Sequence, residues 1–176
     1  MVGRLLRSAT IGALAGAVGT AAMDALWYRR ARRGGSTQAP MEWEFSAGTT
    51  SWDQVSAPGK VGRLALEKAT GTEPPDRWAR TTQNVVHWAT GISWGVQFGA
   101  ALALAGVRSP RWWWGLGLGA TAWAASYAVL PKLDIYKPIN EYDTATLAQD
   151  LSAHLLFGAA AGVTYTAARR ATRGAS

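Results

Sequence analysis

NVVHWATGISWGVQFG, residues 84–99, and HLLFGAAAGVTYT, residues 154–166, share a frame in which a histidine is followed at four-residue steps by small residues. His87 leads to Gly91, Gly95 and Gly99, and His154 leads to Gly158, Gly162 and Thr166. Four-residue spacing places such groups along one face of a helix. The same interval recurs in two other apolar stretches, as Gly12, Gly16, Thr20 and Asp24 and as Gly115 and Gly119. Small-xxx-small ladders let helix backbones approach closely, which suits lipid, where no hydrophobic effect holds helices together. A single ladder is weak evidence. Four in one chain predict a tight helical bundle, built as two helix-loop-helix halves related by pseudo-symmetry.

The charges divide the chain in the same way. Its 18 Lys+Arg and 11 Asp+Glu leave four long gaps, from Ser8 to Tyr28, Thr81 to Val107, Trp112 to Pro131 and Leu151 to Ala168, and only Asp24 lies inside one. A helix needs about 20 residues to cross the hydrocarbon of a bilayer. A buried helix of a soluble protein usually keeps one polar stripe, whereas Ile11 to Ala22 and Trp112 to Ala125 are uncharged on every side. The expected fold class is therefore all-α, an integral membrane four-helix bundle forming a single transmembrane domain over 1–176. Its helices are expected at about 8–28, 84–107, 112–130 and 150–168. The mean hydropathy of -0.03 follows because Gly, Ala, Thr, Trp and Tyr fill these spans in place of Leu and Ile. Trp27 and Tyr28 before Arg29, the triplet Trp112 to Trp114 after Arg111, and Tyr127 before Pro131 resemble aromatic belts at lipid headgroups. An alternative reading of the first stretch is a cleaved signal peptide, with Arg4 and Arg7 before an apolar run and small residues at Thr20 to Ala22.

The connection 31–80 is rich in Gly, Ser, Thr and Pro. Within it, Lys60 to Lys68 reads as a short amphipathic helix lying on the membrane or covering the bundle mouth, with Val61, Leu64 and Ala65 at helical spacing. Pro74, Pro75 and Asp76 read as a helix start ahead of the second span, and Asp143 as an N-cap ahead of the fourth.

Up-and-down topology brings Asp24, His87 and His154 to one side of the membrane at a shared depth, with Asp150 one turn before His154 on the same face. Ionisable groups inside spans are functional candidates by default. Three readings compete: an interhelical hydrogen bond that fixes packing, a proton- or cation-linked site, and bis-histidine haem ligation. A divalent metal on Asp24 and the two histidines is a fourth, with an incomplete ligand set. No cofactor is required by any motif. With no cysteine, thiolate sites and disulfides are excluded. Neither a phosphate-binding glycine loop nor a nucleophile elbow is present, so no enzymatic activity is expected. The net charge of +7 flanks helices instead of forming a stripe for nucleic acid. The expected partners are the lipid bilayer and either a second copy or another membrane protein seated on the glycine faces Gly12, Gly16, Gly91, Gly95, Gly115, Gly119, Gly158 and Gly162. The N-tail, the turn at Arg108 and Arg111 and the C-tail hold seven Lys+Arg and no acid, which favours cytoplasmic termini.

The stretches GALAGAVGTAAMD (12–24), SAPGKVGRL (56–64), NVVHWATGISWG (84–95) and YKPINEYDTATLAQDLSAHLLFG (136–158) resemble those of the YagU-like small bacterial inner-membrane proteins and their actinobacterial relatives. The resemblance implies a multi-pass protein of the bacterial plasma membrane, with a loose association with acid tolerance and no catalytic residues to carry over.

Overall fold

The computed structural model describes residues 2–172, and helices are the only regular elements among them. Six are α-helical: α1 (Val2–Arg33), α2 (Pro40–Glu44), α3 (Ala57–Thr70), α4 (Ala79–Leu104), α5 (Trp114–Val129) and α6 (Thr144–Ala171). The four long ones contain the four ladders, and their boundaries have local causes. α1 runs on to Arg33, where Arg30, Arg32 and Arg33 lie in the last turn and complement the negative end of the helix dipole. α4 begins after Pro74 and Pro75 through a 3₁₀ turn at Asp76–Trp78. α6 starts earlier than the charge gap implies, because Asp143 accepts a hydrogen bond from the Thr146 N–H at 2.9 Å and caps the helix there. That bond, with one from the Thr146 hydroxyl, holds the Asp143 carboxyl below the usual range.

Four membrane spans are expected from the charge gaps, but by length and composition two helices, α1 and α6, are long and apolar enough to cross a membrane. α5 has 16 residues, a length of about 24 Å, and the N-terminal turns of α4 are diluted by Thr81, Thr82, Gln83 and Asn84. Large apolar side chains nevertheless face outward on all four long helices, among them Leu14, Val18, Val85, Leu116, Leu156 and Val163. Trp112, Trp113 and Trp114 are all exposed where α5 begins.

The long helices alternate in direction. α1 lies between α4 and α6, α6 also meets α5, and α4 and α5 barely touch. Along α1 and α4 the ladders mesh in antiparallel register. A Cβ on Gly12 would strike the Gly95 carbonyl, one on Gly16 the Gly91 carbonyl, and one on Gly99 the Ser8 carbonyl. α5 and α6 repeat the arrangement, with Gly115 against Gly158 and Gly162, and Gly119 against the His154 carbonyl. The two hairpins therefore share one construction, but not one environment, since α1 packs on α6 while its counterpart α5 leaves α4. At the α1–α6 seam a Cβ on Gly19 would lie 2.7 Å from the Phe157 carbonyl. Arg7 and the Thr172 carbonyl close one end of the seam, and Arg30 and the Gln149 carbonyl, 2.9 Å apart, close the other. Ile11, Ala15, Leu102, Leu118, Phe157, Ala161 and Tyr165 form the central core.

The 31–80 connection folds onto the end of the bundle. The expected amphipathic helix is α3, longer than the 60–68 segment, and it lies along the start of α4. Gly62 allows contact with Thr82 and Val86, while Gln83 Oε1 accepts from the Ser56 and Gly59 N–H groups at 3.1 and 3.0 Å. Trp52, Val55 and Ala79 make a second small core, in which the Trp52 indole donates to the Pro74 carbonyl at 2.8 Å.

Candidate functional site

The site grows from the ends of the two meshed ladders. Following Gly12, Gly16 and Thr20 one further step along α1 reaches Asp24, and following Gly99, Gly95 and Gly91 along α4 reaches His87. The backbones are held close by the glycines, so the two side chains meet: His87 Nε2 lies 3.0 Å from Oδ1 and 2.9 Å from Oδ2 of Asp24. A carboxylate can only accept, so Nε2 carries the proton in this contact. Asp24 is 5% exposed. An ionised group so buried requires a partner, and the imidazole supplies one from the neighbouring helix.

The expected three-residue cluster divides into two pairs. His154 does not join Asp24. Its Nδ1–H donates to the Asp150 carbonyl at 3.0 Å and lies 3.4 Å from Asp150 Oδ1, within α6. The reason is register. His154 stands where α6 meets α5, its carbonyl against Gly119, whereas Asp24 faces α4. In the second hairpin the place of Asp24, eight residues beyond Gly16, is taken by Tyr127, eight beyond Gly119. Tyr127 lies beside Asp150 and packs against Tyr136, tilted, and Tyr142, edge-on, at ring separations of 5.3 and 5.4 Å. Burial and the Asp150 carboxylate push the Tyr136 hydroxyl up to about 12.

Both pairs nevertheless open on one cavity of about 1140 Å³, whose wall includes Asp24, His87, Asp150 and His154. On the loop side its wall includes α2, which brings a residue that the sequence does not single out. Glu44 faces Asp24, His87 and Trp88, and burial together with the Asp24 carboxylate raises its carboxyl to about 6. α2 is held there by three contacts. Trp43 packs edge-on against Tyr28 at 5.6 Å, and the Phe45 carbonyl accepts from Arg80 at 2.9 Å and from Asn84 at 3.1 Å. No spacing rule reveals Glu44. The one hint is PMEWEF (40–45), a proline-started acidic and aromatic turn in a loop otherwise rich in small polar residues.

Among the described residues no three His, Cys, Asp or Glu side chains are gathered as a metal-ligand set, and the two histidines are held in separate pairs, His87 with Asp24 and His154 with Asp150. The ladder glycines Gly12, Gly16, Gly91, Gly95, Gly115, Gly119, Gly158 and Gly162 all face a neighbouring helix of this chain, so their small faces are consumed internally.

No protein-family profile, no curated protein and no solved structure matches the chain.

Proposed function

We propose that this is a non-enzymatic, four-span protein of the bacterial plasma membrane that handles protons or a cation through the Asp24–His87 pair, with its termini on the cytoplasmic side. The observation that carries this reading is a buried carboxylate–imidazole pair, bridging two helices, that opens on a cavity shared with a second such pair. A histidine bound to a carboxylate inside a span is costly to keep for packing alone, and a histidine changes charge near neutral pH. The membrane part is supported by two helices of spanning length and composition, by the outward apolar faces of all four long helices and by the backbone-to-backbone glycine seams. We include in this proposal the resemblance to YagU-like proteins read from the sequence stretches, which implies that location and a role in acid conditions.

The alternative, a structural subunit that seats a partner on its glycine ladders, is less well served, because those ladders are already filled within the chain. The test is proton flux into liposomes holding the purified protein, driven by a pH gradient. His87→Ala is expected to lower the flux at least tenfold and His154→Ala to lower it less. Equal flux in the wild type and both variants would reject the role of the pair.

A further inference from the structure

The cavity that holds Asp24 and His87 has a mixed lining of carboxyl and aromatic side chains. Its polar wall draws carboxyl groups from three elements, Asp24 of α1, Glu44 of α2 and Asp150 of α6. Apart from the two imidazoles, the one cationic side chain on the wall among the described residues is Arg30. Its guanidinium is already engaged, donating to the Gln149 carbonyl at 2.9 Å and to Ser152 Oγ at 2.7 Å while stacking over Trp27 at 4.8 Å. The same lining contains aromatic side chains, Trp27, Trp43, Trp94 and Phe157. Trp94 also lines a separate groove of about 450 Å³ between α4 and α5, walled by Phe98, Trp113, Trp114 and Leu118. That groove follows the one seam where neighbouring long helices barely meet, and the broken pseudo-symmetry of the two hairpins is what leaves it unfilled.

Carboxylates beside aromatic faces are the chemistry that holds an organic cation, through charge and through the ring quadrupole. An apolar groove on the other side of Trp94, along an open helix seam, suits a hydrophobic body. Resting on the proton- or cation-linked reading above, we propose that the cavity binds a hydrophobic organic cation, which enters from the bilayer between α4 and α5 and exchanges for a proton at the Asp24–His87–Glu44 cluster. The positive centre sits against Asp24 and Glu44, with the apolar groups on Trp94 and the α4–α5 groove. A proton on His87 occupies the countercharge that Asp24 would offer, so the proton and the cation compete. The other titratable or charged groups on the cavity wall are Arg30 from α1, Tyr136 from the loop after α5, and Asp150 and His154 from α6. Of these, the Tyr136 hydroxyl, pushed up to about 12 by burial and the Asp150 carboxylate, stays neutral near pH 7.

The test is isothermal titration of the full-length protein in nonionic detergent with tetraphenylphosphonium, and with tetramethylammonium as a probe lacking the apolar groups. Saturable one-site binding of tetraphenylphosphonium is expected at pH 8. It should weaken at least tenfold at pH 5.5, and protons should be released on binding, read from buffers of different ionisation enthalpy. Tetramethylammonium should bind at least tenfold more weakly. Asp24→Asn and Glu44→Gln should each weaken tetraphenylphosphonium at least tenfold; Glu44 lies on a short helix outside the bundle, so its variant keeps the test meaningful if Asp24→Asn does not fold. Trp94→Ala should weaken tetraphenylphosphonium and leave tetramethylammonium unchanged. Absent binding, or binding indifferent both to pH and to Glu44→Gln, overturns the proposal. Absent binding beside intact proton flux overturns it while leaving the proton arm of that reading in place, whereas pH-dependent binding without proton flux upholds the cation site and narrows that reading to its cation arm.

Discussion

His87 and His154 occupy equivalent places in two similar helices, yet their surroundings assign them different consequences. Removing the His87 ring leaves Asp24, 5% exposed, without its interhelical partner, and an uncompensated buried acceptor costs about 1–3 kcal/mol, more if charged. Removing the His154 ring forfeits a bond made within its own helix, worth about 0.5–1.5 kcal/mol. His87→Ala is therefore expected to lower the thermal unfolding midpoint in detergent more than His154→Ala, and equal shifts would contradict the pairing. Glu44 gives a second prediction at this scale. Its carboxyl is raised from 4.5 to about 6 in the folded chain, so the protonated form is favoured by folding. The associated stability is present below about pH 4.5 and is lost as the pH rises through about 6. Because Glu44 is only partly buried, screening holds the effect to about 1 kcal/mol or less. Glu44→Gln should flatten the decline in unfolding midpoint between pH 4.5 and 7, and a decline of unchanged size would assign it to another group.

At the level of elements, the glycine seams set how near the helices stand, and that nearness is what lets a short aspartate reach a histidine on the next helix. Gly95 is at the middle of the α1–α4 seam, where an added Cβ would run into the Gly12 carbonyl and the Gly16 backbone. These are backbone atoms that cannot rotate away. Gly95→Val is expected to destabilise by about 1–3 kcal/mol, in the range of overpacked cores, and to lengthen the Asp24–His87 contact two turns away. Gly117, on the same helix as two ladder glycines, has open space where its Cβ would be, so Gly117→Val should leave the unfolding midpoint nearly unchanged. If the two variants behave alike, the seams do not govern spacing. The ladders themselves are readable from four-residue spacing, because repetition at that interval has one geometric meaning in a helix. Which ladder meets which is not, since all four stripes are chemically alike.

For the whole molecule, the proposed four-span topology has a discriminating test. With four spans, Thr72 in the first connection and Ser109 in the turn after α4 lie on opposite sides of the membrane. With only α1 and α6 crossing, both lie on the same side. The chain contains no cysteine, so Thr72→Cys and Ser109→Cys each provide a single label position. Cytoplasmic termini with four spans predict that an impermeant maleimide labels Thr72→Cys in intact cells and Ser109→Cys only after permeabilisation. Equal labelling of both would favour two crossings, and the reverse pattern would invert the orientation.

Helical periodicity and charge gaps are local properties of the chain, so the helical class, the approximate place of all four long helices, the cap at Asp143 and the presence of Asp and His at one end are legible without any tertiary contact. They do not determine that α1 sits between α4 and α6 while α4 and α5 part. That asymmetry comes from side-chain fit between distant segments, such as Phe157 against Gly19, and no periodicity encodes it. Only the tertiary structure therefore separated Asp24–His87 from Asp150–His154, brought Glu44 over the first pair from a loop with no regular pattern, and joined both pairs through one cavity.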